Sequence, residues 1–168
     1  DEKGYKMSKS GGNGLSPSEL MEQFGADIVR LWEIGSDYTD DIKIGKNVLK
    51  GHTDIYRRIR NTFCYLLGNL SDFDAAQHRV DVKDMPEFDR WALHRLYEMD
   101  AYIKSCIADF DFMKMLNALH LFCSKDLSAF YFDVNKDNLY CNAKDSLERR
   151  ATQTVLDEIF NCLVHWFA

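Results

Sequence analysis

The sequence contains no Cys-x-x-Cys pair and no His-x-x-x-His pair. Its five cysteines are widely scattered along the chain, and its five histidines never fall at ligand spacing. These absences argue against a zinc knuckle or a metal site on one helix face, so no metal ligand is assigned. An odd number of scattered cysteines in apolar surroundings indicates reduced, buried thiols in a reducing compartment.

Long apolar runs are also absent. No run approaches the about 20 residues that span a bilayer, and no signal-peptide pattern opens the chain, so we expect a cytoplasmic protein without a membrane partner. Proline occurs only twice, and most of the nine glycines lie in the first third of the chain, which leaves long stretches suited to helices. Nothing alternates with a period of two, so no strand is predicted.

The residues that are present indicate an all-α protein, with a helical bundle preceded by a flexible loop and short helices. The composition is 46% hydrophobic and 29% charged, which predicts a folded core. Ser16, Pro17 and Glu19 predict a capping box for a short helix that ends near Phe24, before Gly25. Further helices are predicted over residues 27–34, 40–70, 86–109 and 112–134, and residues 145–148 predict a box-like start for the last helix. We expect the aromatic residues 130–132 to lie in the core, and both ends of the chain to continue in a longer protein.

The most specific string is Lys6-Met7-Ser8-Lys9-Ser10. Two lysines three positions apart, on a backbone rich in Gly and Ser, can bring ammonium groups and N–H donors to a polyphosphate. Such cations favour a reaction in which pyrophosphate leaves, because negative charge builds up on the leaving group in the transition state. The alternative is a solvated basic loop with no role in catalysis.

This string is identical to the signature loop of class I aminoacyl-tRNA synthetases, and the rest of the chain resembles the isoleucyl branch of that family. The resemblance runs from end to end. The segments that carry it are residues 24–32, 36–38, 41–44, 57–62, 66–70, 126–131 and 145–150. One departure is that Gly11 and Gly14 stand where the family usually has Leu before Gly-Asn and a β-branched residue after it. This departure removes no charged or hydroxyl group from the loop.

The resemblance implies an isoleucine–tRNA ligase, which activates isoleucine with ATP and transfers it to isoleucine tRNA. It implies that residues 1–38 end a catalytic domain, and that residues 39–168 form an anticodon-binding bundle truncated at its C-terminus. Lys9 and Lys6 would be catalytic, and ATP, with magnesium, would be a substrate of a monomeric intact enzyme. The ATP-binding residues would be Lys6, Met7, Ser8, Lys9 and Ser10.

The isolated chain is expected to be inactive and to bind no cofactor, since the amino-acid pocket lies elsewhere. Two alternatives remain open. One is a valyl, leucyl or methionyl enzyme of the same class. The other is a non-catalytic helical interaction module.

Basic charge is concentrated in the predicted 40–70 helix. Residues 42–70 hold six Lys or Arg against one acid, Asp54, and so carry +5, whereas the whole chain carries −6 and the remainder therefore −11. A basic helix face suits contacts with RNA phosphates, although a solvated face is the alternative. Lys43, Lys46, Lys50, Arg57 and Asn61 are expected to share this face, with Arg58 and Arg60 flanking it. The candidate tRNA-binding residues are Lys43, Lys46, Lys50, Arg57, Arg58, Arg60 and Asn61.

Overall fold

The structure, a computed structural model, describes residues 1–8 and 10–168. Helices account for 71% of the chain, and no strand occurs in the described part, which confirms the all-α bundle. The α-helices are α1 (Pro17–Phe24), α2 (Ala26–Ile34), α3 (Lys46–Asn69), α4 (Ala75–His78), α5 (Glu87–Ala108), α6 (Phe112–Leu121), α7 (Phe132–Val134), α8 (Lys136–Tyr140) and α9 (Leu147–Phe167). A 3₁₀ turn lies at Val82–Asp84, and a π-helical segment, Phe122–Tyr131, joins α6 to α7.

The two short helices form where the sequence predicts them. Pro17 occupies the first turn of α1, where its fixed φ suits the helix. Gly25 has a φ of +89°, a backbone conformation that favours glycine, and it separates α1 from α2. The predicted capping box is wrong, because Ser16 has extended backbone but its side chain makes no capping hydrogen bond.

Helix α3 begins later than predicted, at Lys46 instead of residue 40. Side chains from elsewhere hold the preceding segment in a non-helical conformation. Trp32 Nε1 donates to the Lys43 carbonyl at 3.1 Å, and the Tyr38 hydroxyl donates to the Phe110 carbonyl at 2.8 Å. Lys43 therefore lies outside the helix.

The core consists of two clusters. The larger one gathers side chains from α3, α5, α6, the π-helical segment and α9, and every residue from 150 to 156 of α9 is buried. The smaller one joins Leu20 of α1 and Ile28 of α2 to Ile44 and Leu49. The short helices are thus packed on the beginning of α3.

The predicted helix 112–134 is continuous but changes its winding at Phe122. In the π-helical segment Phe132 N–H donates to the Leu127 carbonyl five residues earlier. Tyr131 and Phe132 are both buried, whereas Phe130 is 45% exposed. The expectation that all three aromatics lie in the core is therefore wrong for Phe130, because a helix that buries two successive side chains turns its neighbour outwards.

None of the described helices is long and apolar enough to cross a membrane. Cys106 and Cys123 are buried, and burial raises the pKa of the Cys123 thiol to about 12. Cys64 and Cys141 are exposed, so the prediction of buried thiols is wrong for these two. Cys64 lies on the outward face of α3, and Cys141 follows the end of α8.

Candidate functional site

The chain opens with a tight turn that leads into the lysine–serine loop, residues 6–10. Asp1 Oδ1 accepts hydrogen bonds from the N–H groups of Lys3, at 3.0 Å, and Tyr5, at 2.9 Å. Gly4, with a φ of +85°, closes the turn through its N–H, which donates to the Asp1 carbonyl at 3.0 Å. The aspartate side chain thus fixes the backbone that enters the loop.

Asn13 binds the start and the middle of the loop. Its Oδ1 accepts from Ser8 N–H at 3.0 Å, and its Nδ2 donates to the Lys6 carbonyl at 3.3 Å and to Asp1 Oδ2 at 3.1 Å. Sequence reasoning missed this role, because Asn13 carries no charge and makes these contacts with residues 5, 7 and 12 positions away. The only signal was an Asn among glycines, which suits a turn.

The Ser8 hydroxyl supports the return of the loop. It accepts from Gly11 N–H at 3.0 Å and lies 3.5 Å from the Ser10 hydroxyl oxygen. A Cβ added to Gly11 would lie 2.8 Å from Ser8 Oγ, so the departure at Gly11 makes room for this hydroxyl. Because Ser8 Oγ accepts from Gly11 N–H, its O–H can donate either to Ser10 Oγ or to an anion.

Four of the five predicted ATP-binding residues lie together on an exposed loop: Lys6, Met7, Ser8 and Ser10. Lys9, which sequence analysis assigned the central catalytic role, lies outside the described residues. Over residues 1–8 and 10–168, no group of three or more His, Cys, Asp or Glu is placed to hold a metal ion. The described part of the loop exposes the Ser8 and Ser10 hydroxyls and the Lys6 ammonium group, donors that suit a polyphosphate.

The seven predicted tRNA-binding residues are all exposed. At about 100° per residue, Lys46, Lys50, Arg57 and Asn61 fall within about 60° of arc on α3. The prediction that Lys43 shares this helix face is wrong, because Lys43 precedes the helix. Its Cε lies 3.8 Å from the position that a Cβ would take on Gly4, so its side chain passes beside the turn that leads into the loop.

The charges on α3 are only weakly paired. Arg57 lies 3.7 Å from Asp54, with both side chains about 70% exposed, so the pair contributes little and leaves the arginine accessible. Two causes lower the pKa of His120 on α6: burial, which is the larger, and the nearby Arg58 charge.

Arg60 borders an open, largely apolar groove of about 840 Å³ between α2, α3, α6 and the end of α9. Of the two flanking arginines, Arg58 therefore lies near His120, whereas Arg60 lies beside the groove.

Two protein families match parts of the sequence. The family described as "tRNA synthetases class I (I, L, M and V)" matches residues 1–45. The family described as "Anticodon-binding domain of tRNA ligase" matches residues 89–168. The first match contains the lysine–serine loop, α1 and α2, and the second contains nearly all of α5 and everything after it.

Curated relatives match the whole chain. It is 50% identical over 168 residues to the isoleucine–tRNA ligase of Ruegeria pomeroyi, covering 100% of this chain and 17% of that protein. It is 46% identical over 170 residues to that of Pelagibacter ubique, covering 19% of it, and 49% identical over 168 residues to that of Persephonella marina, covering 18%. The chain thus spans less than a fifth of the length of these relatives.

Proposed function

We propose that this chain is part of a class I tRNA synthetase, an isoleucine–tRNA ligase, and that it supplies the loop that closes over ATP and a bundle that binds isoleucine tRNA. The observation that carries the proposal is that one chain joins both parts. The loop braced by Asn13 is followed, after α1 and α2, by the exposed basic face of α3. Similarity over the whole chain to isoleucine–tRNA ligases supports the choice of amino acid.

In the proposed reaction the carboxylate of isoleucine attacks the α-phosphorus of ATP, an aminoacyl adenylate forms and pyrophosphate leaves. ATP, with its magnesium, is a substrate. Lys9 and Lys6 act as cations on the departing pyrophosphate, and the Ser8 and Ser10 hydroxyls add hydrogen-bond donors. A loop that contacts this charge mainly in the transition state raises the rate more than it tightens ATP binding.

The transfer step requires the tRNA to lie across the bundle. In this proposal Lys46, Lys50 and Arg57 contact backbone phosphates, which position an RNA without reading its sequence. We predict a division between a catalytic part at residues 1–38 and an anticodon-binding part at residues 39–168, although the smaller core cluster packs residues from both sides of that division together. We also predict that the whole enzyme is a cytoplasmic monomer and that the isolated chain is catalytically inactive.

Exchange of labelled pyrophosphate into ATP tests the proposal directly. In the whole protein, Lys9→Ala should lower the isoleucine-dependent rate by about two to three orders of magnitude, a range seen when one transition-state donor is removed. Lys6→Ala should lower it less. Affinity for isoleucine tRNA should stay nearly unchanged in both variants, because the tRNA face lies on α3.

A different amino acid is the second candidate, since the matched family covers the isoleucine, leucine, methionine and valine enzymes. The same assay with each amino acid separates these possibilities. Exchange that depends on valine, leucine or methionine but not isoleucine would sink the substrate assignment and keep the class. No effect of Lys9→Ala on any ATP chemistry would instead favour the non-catalytic interaction module.

A further inference from the structure

Helix α3 begins without a cap of its own. Gly45, at the capping position, has no side chain, and no acidic residue lies in the first turn. Lys46, the first helical residue, places a positive charge at the end of the helix where the peptide dipoles already favour a negative one. The first N–H groups of the longest helix therefore need an acceptor from elsewhere in the chain.

Glu2 supplies that acceptor from the turn that precedes the lysine–serine loop. Its Oε1 accepts from Asn47 N–H at 2.5 Å, and its Oε2 accepts from Asn47 Nδ2 at 3.1 Å. Both carboxylate oxygens are therefore bound at the start of α3, across 45 residues of sequence. A carboxylate at this position also offsets the unfavourable Lys46 charge.

Gly45 leaves the space that the Glu2 side chain occupies. A Cβ added to Gly45 would lie 1.9 Å from Glu2 Cγ and 2.4 Å from Cδ and Oε1. The φ of Gly45 is 173°, extended backbone that any residue adopts, so its conformation does not require glycine. The close approach of the Glu2 side chain is what requires it.

The same turn is continuous with the site proposed for ATP. Asp1, next to Glu2, accepts from Asn13 through Oδ2, and Asn13 in turn accepts from Ser8 N–H. A chain of short contacts thus runs from the start of α3 through Glu2, Asp1 and Asn13 to the loop.

We propose that Glu2 is a positioning residue, which anchors the lysine–serine loop to the start of α3 and so sets where the loop cations meet the pyrophosphate. This inference rests on the proposed function. Glu2 itself touches no substrate. It links the ATP loop to the same helix whose exposed face is proposed to bind tRNA, so the two substrates are positioned from one element.

Two substitutions separate anchoring from simple capping of the helix. Glu2→Ala removes both the anchor and the cap. Gly45→Ser displaces the Glu2 side chain but gives α3 a cap of its own, because serine is a preferred capping residue. Glu22→Ala is the matched control, since Glu22 is an exposed glutamate on α1.

The first measurement is pyrophosphate exchange by the whole protein. Glu2→Ala and Gly45→Ser should both lower kcat about two- to fivefold, the rate equivalent of one carboxylate at an exposed helix end, with the KM for isoleucine unchanged. Glu22→Ala should match the wild type. If Glu2→Ala is slow but Gly45→Ser has the wild-type rate, Glu2 only caps α3 and the inference is overturned. Wild-type rates in both variants would also overturn it.

A second measurement does not depend on activity. Trypsin cleavage after Lys6 in the folded protein, identified by mass spectrometry, should be about two- to fivefold faster in Glu2→Ala and Gly45→Ser than in the wild type. Equal cleavage rates in all variants would overturn the anchor. A protein that shows faster cleavage in both variants but no isoleucine-dependent exchange would contradict the proposed function and keep the anchor.

Discussion

At the scale of single residues, one polar network decides how the end of α3 meets α9. Arg149 binds Asp72 with two hydrogen bonds, of 2.8 and 3.0 Å. Gln153 Nε2 donates at 2.8 Å both to Asp72 and to the Asn69 carbonyl, and Arg150 donates to the Asp72 carbonyl at 3.0 Å. Paired, partly buried groups of this kind hold a specific geometry, because leaving any one of them unpaired is costly.

The Asp72 carboxylate should make stability depend on acid pH. Hydrogen bonds from Arg149 are the main cause that lowers the pKa of Asp72 from 3.8 to about 2. Its contribution is therefore complete above about pH 4 and is lost as the pH falls towards 2. We expect Asp72→Asn to lower the free energy of unfolding by about 1 kcal/mol at pH 7 and by progressively less below pH 4.

Urea unfolding between pH 7 and pH 2 measures this difference. Asp81→Asn is the control, because Asp81 is 76% exposed and pairs with the exposed Lys83. Asp89 has the opposite effect on the pH dependence of stability. Burial raises its pKa, so its protonation at low pH removes the cost of burying a charge. A constant gap between Asp72→Asn and the wild type across the whole pH range would contradict the assignment.

Some of the residues in these networks could be singled out from the sequence, but the contacts between them could not. Residues 145–150 and the string 6–10 were recognised as segments of a family, but their partners were not predicted. Asp72 and Arg149 are 77 positions apart, and Glu2 and Asn47 are 45 apart. No local period links such pairs, because each depends on how the helices pack.

At the scale of elements, α3 packs one face into the core and exposes a basic face to solvent. Leu49, Ile59 and Leu66 are buried, while Lys46, Lys50 and Arg57 are exposed. The shared face of Lys46, Lys50, Arg57 and Asn61 could be predicted from helical spacing. The start of the helix could not, because Trp32 and Glu2 fix it from outside.

Binding of tRNA should depend on salt through the basic face of α3. If Lys50 contacts a phosphate, Lys50→Gln should weaken binding and lower the log–log slope of affinity against salt by about 0.7 to 0.9. Lys83→Gln is the matched control, since Lys83 lies in the 3₁₀ turn beside Asp81. Isoleucine tRNA and an unrelated tRNA should show the same change in slope.

Equal slopes for Lys50→Gln, Lys83→Gln and the wild type would show that this face is only solvated. Loss of binding to isoleucine tRNA alone would also contradict a phosphate contact, because phosphates carry no sequence information.

At the scale of the whole molecule, α9 is the helix around which the bundle packs. Val155, Leu156, Ile159 and Leu163 have no exposed surface. The helix could be predicted from the sequence, but not the burial of Thr152, Gln153 and Thr154 on its other sides. These polar residues are tolerated there because each makes hydrogen bonds, for example Thr154 Oγ1 to the Arg150 carbonyl at 2.8 Å.

Removing volume at this centre should destabilise the whole fold. Leu156→Ala should lower the free energy of unfolding by about 3 kcal/mol, because a fully buried leucine leaves a cavity. Leu147→Ala, at a leucine that is 52% exposed on the same helix, should change it by less than about 1 kcal/mol. Urea unfolding of both variants checks this, and equal losses would contradict the central position of α9.

The wide turns at Phe122–Tyr131 have a consequence for how the length of the chain can change in evolution. Deleting Ala129 or Phe130 would leave Ser128 and Tyr131 two positions apart instead of three, and would change the angle between them by roughly 80–100°. A lineage that lost one of these residues could keep either the contact between Ser128 and Thr62 or the bond from Tyr131 to buried Asp89, but not both. Homologues that lack one residue here should therefore carry a compensating change at Thr62 or Asp89.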